Sequence, residues 1–213
     1  MVDHCAIRIC LAQICMYGTC GVHFDITPDF TLKLNHCTII RHSNNLLLCV
    51  FLQHILPKDS FKIVPILCGN LQMTLSEYSR RAYREKAGSF LEAVKDILKH
   101  HRDETLLVAG VDLSHIGPKF GHEMPAQYMK GQSEAHDRAL LNTLSALDAD
   151  SFWKESGKVK DQYNVCGFAA LACLLEVLPP CKGYLLGYEM WHEEATRSAV
   201  SYAAVAFAEQ KQL

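Results

Sequence analysis

The sequence predicts an α/β fold, in which a single domain holds a mainly parallel sheet flanked by helices. Two apolar runs, at residues 62–69 and 105–110, are typical of buried strands. Between them, residues 87–98 carry apolar side chains at helical spacing. A strand, a helix and a second strand in this order predict a parallel pair, because parallel strands need a crossover that a helix usually supplies.

Helices are indicated on both sides of this unit. Residues 51–56 have the pattern of an apolar helix that Pro57 ends. Farther along the chain, residues 139–147 again place apolar side chains on one helical face. Asp150 or Ser151 is expected to cap the short helix that follows, since either side chain can accept a hydrogen bond from the helical backbone.

The end of the chain is strongly apolar. Residues 167–178 contain a single charged side chain and precede two prolines, which predicts a buried helix. Residues 183–188 and 198–207 fit two buried strands, with a polar loop between them. We therefore expect a helix and two strands, all buried, in this part of the fold.

The first 45 residues give no consistent pattern. Strand-like fragments, scattered histidines and frequent cysteines occur there without a sustained period of either a helix or a strand. Local cues that disagree with one another argue against a well-specified fold. We therefore divide the chain into an irregular or diverged segment, residues 1–45, and an α/β domain, residues 46–213.

The composition is that of an ordinary globular protein, with 49% hydrophobic and 21% charged residues. Because the formal net charge is −2 and the basic clusters are short, nothing indicates a nucleic-acid partner. No apolar run approaches the ~18 to 20 residues of a membrane span, so no membrane association is expected. The N-terminus makes a poor secretory signal, which predicts cytoplasmic localisation and reduced thiols for the 10 cysteines. The absence of any C-x-x-C pair argues against structural zinc.

The first candidate site directly follows the predicted strand at residues 105–110. Asp112, Ser114 and His115 place a carboxylate, a hydroxyl and an imidazole within four positions, just before a Gly-Pro break. Open α/β sheets bind ligands outside the carboxyl ends of their strands, where loops on rigid elements often carry function. The same residues can also form a local turn in which Asp112 and Ser114 bond to nearby backbone. The residues alone leave both interpretations open.

Cys166 is the second candidate. It stands at or just before the N-terminus of the predicted helix at residues 167–178, where backbone N–H groups and the helix dipole stabilise a thiolate. A thiolate can act as a nucleophile, with His115 as its base, or as a soft metal ligand. The structural alternative is a small buried apolar residue beside Gly167.

Several blocks of the chain together carry a family resemblance. They are Phe-Leu-Gln-His at 51–54 with the strand at 62–69, Asp-Leu-Ser-His-Ile-Gly-Pro-Lys-Phe-Gly at 112–121, Val-Cys-Gly at 165–167, and Ser-Ala-Val-Ser-Tyr-Ala at 198–203. On these blocks, residues 46–207 resemble the C-terminal two thirds of the Memo family, which includes the bacterial AmmeMemoRadiSam system protein B.

The resemblance implies a fold like that of class III extradiol ring-cleaving dioxygenases. It also implies a pocket that holds a redox-active metal, iron or copper, through two histidines and a cysteine. Cys166 matches that cysteine. Asp112 and His115 match the pocket's Asp-Leu-Ser-His element, for which we expect an acid–base or indirect role rather than direct ligation. Cys166 is therefore the expected metal ligand, and His115 and Asp112 are the expected catalytic residues.

The chain departs from the family in its histidine motifs. Neither Pro-His-Ala-Gly-Tyr nor Ser-His-His occurs, and residues 41–45 only faintly echo the family's Glu-His-Ser-Ile-Glu element. We therefore expect the residues before about Leu46 to be strongly diverged, or to derive from a truncated or frame-shifted coding region. Other histidines of this segment could replace the missing ligands, although their spacing selects none of them: His4, His23, His36 and His42.

Two functions of different classes follow from these observations. The first is metal-dependent oxidoreductase chemistry related to that of the class III extradiol dioxygenases, in a pocket that is incomplete here, with His115 moving a proton. The second is a non-catalytic module that binds a peptide or small molecule in the same pocket. The retained Asp112, His115 and Cys166 favour the first, and the missing histidine motifs favour the second. Neither the substrate nor the oligomeric state follows from the sequence.

Overall fold

A computed structural model of the chain describes residues 6–13, 51–57, 60–68 and 78–208. In chain order, the elements are β1 (Ala6–Gln13), α1 (helical at residues 51–55), β2 (Phe61–Cys68), α2 (Arg80–His100), β3 (Leu106–Gly110), β4 (His115–Ile116), α3 (Ala126–Ser145), α4 (Ala149–Val159), α5 (Phe168–Val177), β5 (Lys182–Glu193) and β6 (Ser198–Ala208). Short 3₁₀ turns lie at Arg102–Glu104, Pro118–Phe120 and Glu194–Thr196. This mixture of helices and strands confirms the predicted α/β class.

The described strands form two three-stranded sheets, whereas a single, mainly parallel sheet was expected. In the first sheet, β1 lies between β2 and β3 and runs parallel to both. In the second, β6 lies between β4 and β5 and runs antiparallel to both. The prediction of a mainly parallel sheet is therefore wrong. β5 and β6 run antiparallel because the connection between them, at Glu194–Thr196, is too short for a parallel crossover.

The predicted strand, helix and strand unit corresponds to β2, α2 and β3. The two strands do not pair with each other, because β1 lies between them. Residues Ala6–Gln13, which form β1, belong to the segment 1–45 for which no regular structure was expected. The rest of that segment, with the four candidate histidines, lies outside the described residues.

Two helix boundaries differ from the sequence prediction. α3 begins directly after Pro125, well before residue 139, where the apolar pattern begins. The sequence pattern missed the first half of this helix because that half exposes many polar side chains and so shows little apolar periodicity. α4 is capped by Asp148 rather than by Asp150 or Ser151. The Asp148 carboxylate accepts the N–H of Ser151 at 2.9 Å, so Ser151 is the donor of the cap and not its acceptor.

The main hydrophobic core lies around α5, which is buried along its whole length as predicted. It packs with buried side chains of α2, α3 and α4, including Leu91, Leu140 and Phe152. The strands β5 and β6 are less buried than expected, since the Leu186 and Trp191 side chains of β5 are 69% and 53% exposed. Within the described residues, no helix combines the length and the apolar character needed to cross a bilayer.

Candidate metal centre

The structure brings the three candidate residues of the sequence together. Asp112, His115 and Cys166 each offer one ligand atom, and these atoms lie within 4.8 Å of one another. Asp112 lies between β3 and β4, His115 begins β4, and Cys166 lies just before α5. Two segments separated by about fifty residues of sequence therefore meet at this point of the fold.

Backbone contacts hold the two segments together. The carbonyl oxygen of Asp112 accepts the N–H of Gly167 at 3.0 Å and the S–H of Cys166 at 3.7 Å. The N–H of Cys166 donates to the carbonyl of Leu113 at 3.3 Å. A Cβ atom at Gly167 would collide with the Asp112 carbonyl oxygen and come within 2.8 Å of the Val111 side chain. Glycine is therefore required for the start of α5 to approach Asp112 this closely.

The imidazole of His115 is fixed in one orientation. Its Nδ1 lies 3.0 Å from the carbonyl oxygen of Leu113, which can only accept, so Nδ1 carries the proton and donates. Its ring packs edge-on against Phe120, with the centroids 4.8 Å apart. Nε2 then has its lone pair available and lies 3.9 Å from Oδ2 of Asp112. The side chain is only 12% exposed, so this arrangement is largely shielded from water.

Asn164 holds the loop that carries His115 by hydrogen bonds to its backbone, a role that the sequence analysis missed. Its Nδ2 donates to the carbonyl oxygens of His115 and Phe120, at 3.2 and 3.1 Å. Its backbone is left-handed, with φ of 48°, a conformation that asparagine tolerates better than most residues. An asparagine two positions before the candidate cysteine is thus a turn signal that could have been used.

The donor set fits a transition-metal ion. Nitrogen or oxygen ligands at about 2.1 Å from one ion can lie at most about 4.2 Å apart, and a sulfur ligand at about 2.3 Å extends this limit to about 4.4 Å. The 3.9 Å between the His115 and Asp112 atoms lies within the limit. The other donor atoms lie at most 4.8 Å apart, a few tenths of an ångström beyond the limit for a shared ion. Small side-chain rotations can close this difference. Thiolate and imidazole suit iron, copper and zinc, and a carboxylate suits iron better than copper.

The geometry also bears on the alternatives that the sequence left open. The local-turn interpretation of residues 112–115 expected the hydroxyl of Ser114 to bond to nearby backbone. Instead, this hydroxyl donates to Asp137 on α3, and Ser114 is fully buried. The proximity of Cys166 to His115 is compatible both with ligation of one metal and with a thiol that uses His115 as its base.

Comparison with known proteins gives a family match. The sequence profile of the Memo-like protein family matches residues 29–206. A MEMO1 family protein of Aquifex aeolicus is 26% identical over 161 residues, which are 74% of this chain and 38% of that protein. A MEMO1 family protein of Thermus thermophilus is 30% identical over 109 residues, 51% of this chain and 32% of that protein. The matched regions thus span only about a third of the length of these relatives.

Proposed function

This chain belongs to the Memo-like protein family, and on that premise we propose that it binds one iron or copper ion through Asp112, His115 and Cys166. The proposed pocket derives from a metal-dependent redox site of the dioxygenase-like type. One observation supports it above all others: a carboxylate, an imidazole nitrogen and a sulfur from two segments of the chain converge within 4.8 Å. Clusters of exposed acids are common without a metal, but this one contains three kinds of donor around a mostly buried histidine.

Each side chain has a defined part in this proposal. Cys166 would supply the soft ligand after releasing its thiol proton to solvent, and the Asp112 carbonyl, which accepts the S–H hydrogen bond, would stay paired with the N–H of Gly167. His115 offers Nε2 because Nδ1 is held by the Leu113 carbonyl. Asp112, with a side chain 35% exposed, offers a carboxylate on the solvent side of the site. A bound iron or copper ion would supply redox and Lewis-acid chemistry for activating oxygen or a substrate oxygen.

A non-catalytic module that binds a peptide or small molecule is the second candidate, and a separate observation favours it. A cavity of about 510 Å³ is lined mainly by apolar side chains of β3, α5 and β6. Val111 and Leu113, the two neighbours of Asp112, line this cavity, whereas none of the three donor residues does. An apolar cavity of this size is typical of small-ligand sites.

Metal binding by the purified chain tests the proposal. The protein is equilibrated anaerobically with Fe(II) and, separately, with copper, and the metal bound per chain is measured for the wild type, Cys166→Ala and Cys181→Ala. Cys181 is the matched control, because it is also a half-buried thiol outside any disulfide but does not belong to the donor cluster. We expect about one ion per chain in the wild type and in Cys181→Ala, and at least about tenfold weaker binding in Cys166→Ala.

Two further outcomes distinguish the candidates. Binding that is the same in Cys166→Ala and in the wild type would reject this site, and no binding at all would favour the ligand-binding module. A His115→Ala variant separates the two roles of the histidine. Lost binding would identify His115 as a ligand, whereas retained binding would return it to the acid–base role expected from the sequence.

A further inference from the structure

A fully buried carboxylate lies directly behind the candidate metal centre. Asp137, on α3, has no exposed surface. Its Oδ1 accepts the hydroxyl of Ser114 at 2.6 Å, and its Oδ2 accepts the hydroxyls of Ser201 and Tyr188 at 2.5 and 2.8 Å. One side chain of α3 is thereby joined to the site loop, to β6 and to β5. We call these four residues the polar junction.

The hydrogen-bond pattern makes the carboxylate of Asp137 the acceptor of three hydroxyl groups. The hydroxyl oxygen of Ser201 accepts the N–H of Ser114 at 2.9 Å. Its proton donates to Asp137, because the Asp137 oxygen lies at 2.5 Å and the Ser114 carbonyl oxygen at 3.4 Å. Burial raises the pKa of Tyr188, so its hydroxyl stays protonated and donates. Because three hydroxyl donors occupy the two carboxylate oxygens, a proton on the carboxyl would compete with them. Hydrogen bonds to a charged acceptor are about twice as strong as neutral ones.

Within the polar junction, Ser114 is the member that belongs to the site loop. It lies between Asp112 and His115, and it is fully buried. Besides the bond from its hydroxyl to Asp137, its N–H donates to the hydroxyl of Ser201 and its carbonyl accepts the N–H of Ser201 at 2.9 Å. The position of Ser114 therefore sets the position of the backbone that carries two of the three donor residues.

We propose that Asp137 is a positioning residue of the metal centre, which acts through Ser114 to keep Asp112 and His115 within reach of one ion. This inference rests on the proposed function. It adds that the affinity for the metal depends on a side chain that does not touch the metal. Hydrogen-bond partners behind metal ligands typically change the affinity for the metal about 10- to 100-fold.

Two variants and a matched control test this inference on the full chain. Ser114→Ala removes the link, and Asp137→Asn removes the charge while keeping the shape. Ser156→Ala is the control, because Ser156 is also a buried serine, 3% exposed, whose hydroxyl makes a 2.6 Å hydrogen bond to the hydroxyl of Tyr78 far along the chain from the site. Co(II) is titrated anaerobically, its affinity is read from the thiolate-to-cobalt absorption band, and stability is measured by chemical denaturation.

We expect Ser114→Ala and Asp137→Asn each to weaken Co(II) binding about 10- to 100-fold and to shift the absorption band. The double variant should bind no more weakly than the weaker single variant, because both changes break the same link. Ser156→Ala should lose similar stability while its Co(II) affinity changes by no more than about twofold, as expected for an independent site.

The opposite results are equally clear. Wild-type Co(II) affinity in folded Ser114→Ala would overturn the inference and leave the proposed function standing, and this holds even if Asp137→Asn does not fold. Equal loss of affinity in Ser156→Ala would also overturn it, because the effect would then follow general stability. Absence of Co(II) binding in the wild type, together with absence of Fe(II) and copper binding, would reject the proposed function and the inference together.

Discussion

Two regions of this protein are built in opposite ways. The polar junction, formed by Ser114, Asp137, Tyr188 and Ser201, joins elements by hydrogen bonds to one carboxylate. A second region, which we call the aromatic junction, joins α2, α4 and α5 by ring contacts among Tyr78, Tyr83, Phe152, Trp153 and Phe168. Its ring centroids lie 4.9 to 5.6 Å apart.

The difference between the regions concerns what each can specify. Apolar burial is non-directional and stabilises the fold in proportion to buried area, and the preferred angles of ring pairs add only about 0.5–1.5 kcal/mol each. Hydrogen bonds to a buried carboxylate depend strongly on distance and angle, and they add little net stability relative to solvated groups. We therefore expect the aromatic junction to set most of the stability and the polar junction to set most of the geometry of the donors.

The largest expected effect is the loss of stability in Phe152→Ala. Phe152 is fully buried and stacks on Phe168 with the planes 6° apart. Removing a buried phenylalanine side chain costs about 3–5 kcal/mol of unfolding free energy, because transfer and cavity terms add. Urea denaturation measures this loss. Metal affinity, measured where the variant remains folded, should stay at the wild-type value.

Phe152→Leu is the control for this variant, since it keeps most of the buried volume and should lose less than half as much stability. A Phe152→Ala protein that is folded but fails to bind metal would contradict this division between stability and donor geometry. Such a result would mean that the aromatic junction also positions the donors, through α5 and the adjoining Cys166.

Gly167→Ala should have the next largest effect, and it acts on geometry. Its new Cβ would collide with the carbonyl of Asp112, a backbone atom that cannot rotate away. Overpacking of this kind typically costs about 1–3 kcal/mol. Because the start of α5 must then move away from Asp112, we expect metal affinity to fall at least about tenfold as well. Parallel denaturation and metal titrations measure the two losses.

Gly157→Ala separates the steric effect from the general effect of alanine in place of glycine. Gly157 lies within α4, and a Cβ there would meet nothing within 4 Å. Alanine at a helix interior should stabilise this variant by about 0.5–1 kcal/mol. Unchanged metal affinity in Gly167→Ala would show that Cys166 and Asp112 need not approach each other as closely as they do here.

The sequence could single out the three residues of the candidate site because their signals are local. Asp112 and His115 follow a strand, Cys166 precedes a helix, and each belongs to a chemically informative residue type. Asp137 also left a local signal, since it lies three residues before Leu140, on the stripe of α3 that is buried. A charge on a buried stripe indicates a partner, but the identity of the partner depends on which elements meet.

The contacts that organise the site are non-local, which is why the sequence did not predict them. Ser201 reaches Ser114 through the pairing of β4 with β6, in which His115 lies opposite Val200. That pairing is antiparallel, whereas the sequence analysis expected a mainly parallel sheet. The burial of β5 was overestimated for a related reason, because an apolar run does not tell whether one face of a strand or both faces are covered.

The smallest expected effect is a pH dependence of stability from His136, which precedes Asp137 on α3. This residue is only 7% exposed, packs against Tyr163, and leaves Nε2 without a hydrogen-bond partner in the described part of the chain. Burial lowers its pKa below the usual 6.5, and Lys158 acts in the same direction, although the charges of Asp137 and Glu155 oppose the shift.

The sign of the dependence on pH follows from proton binding. Between the lowered pKa of the folded state and 6.5, the unfolded chain holds a proton that the folded chain lacks. The free energy of unfolding should therefore be highest above pH 6.5 and fall as the pH drops below this value. It should level off once His136 of the folded state is protonated. A single proton limits the slope to about 1.4 kcal/mol per pH unit.

Urea denaturation between pH 5 and pH 8 should show this fall in the wild type but not in His136→Gln. The control Ser133→Ala, which removes a buried hydroxyl from the same face of α3, should show it as well. An identical fall in His136→Gln would assign the pH dependence to a group other than His136.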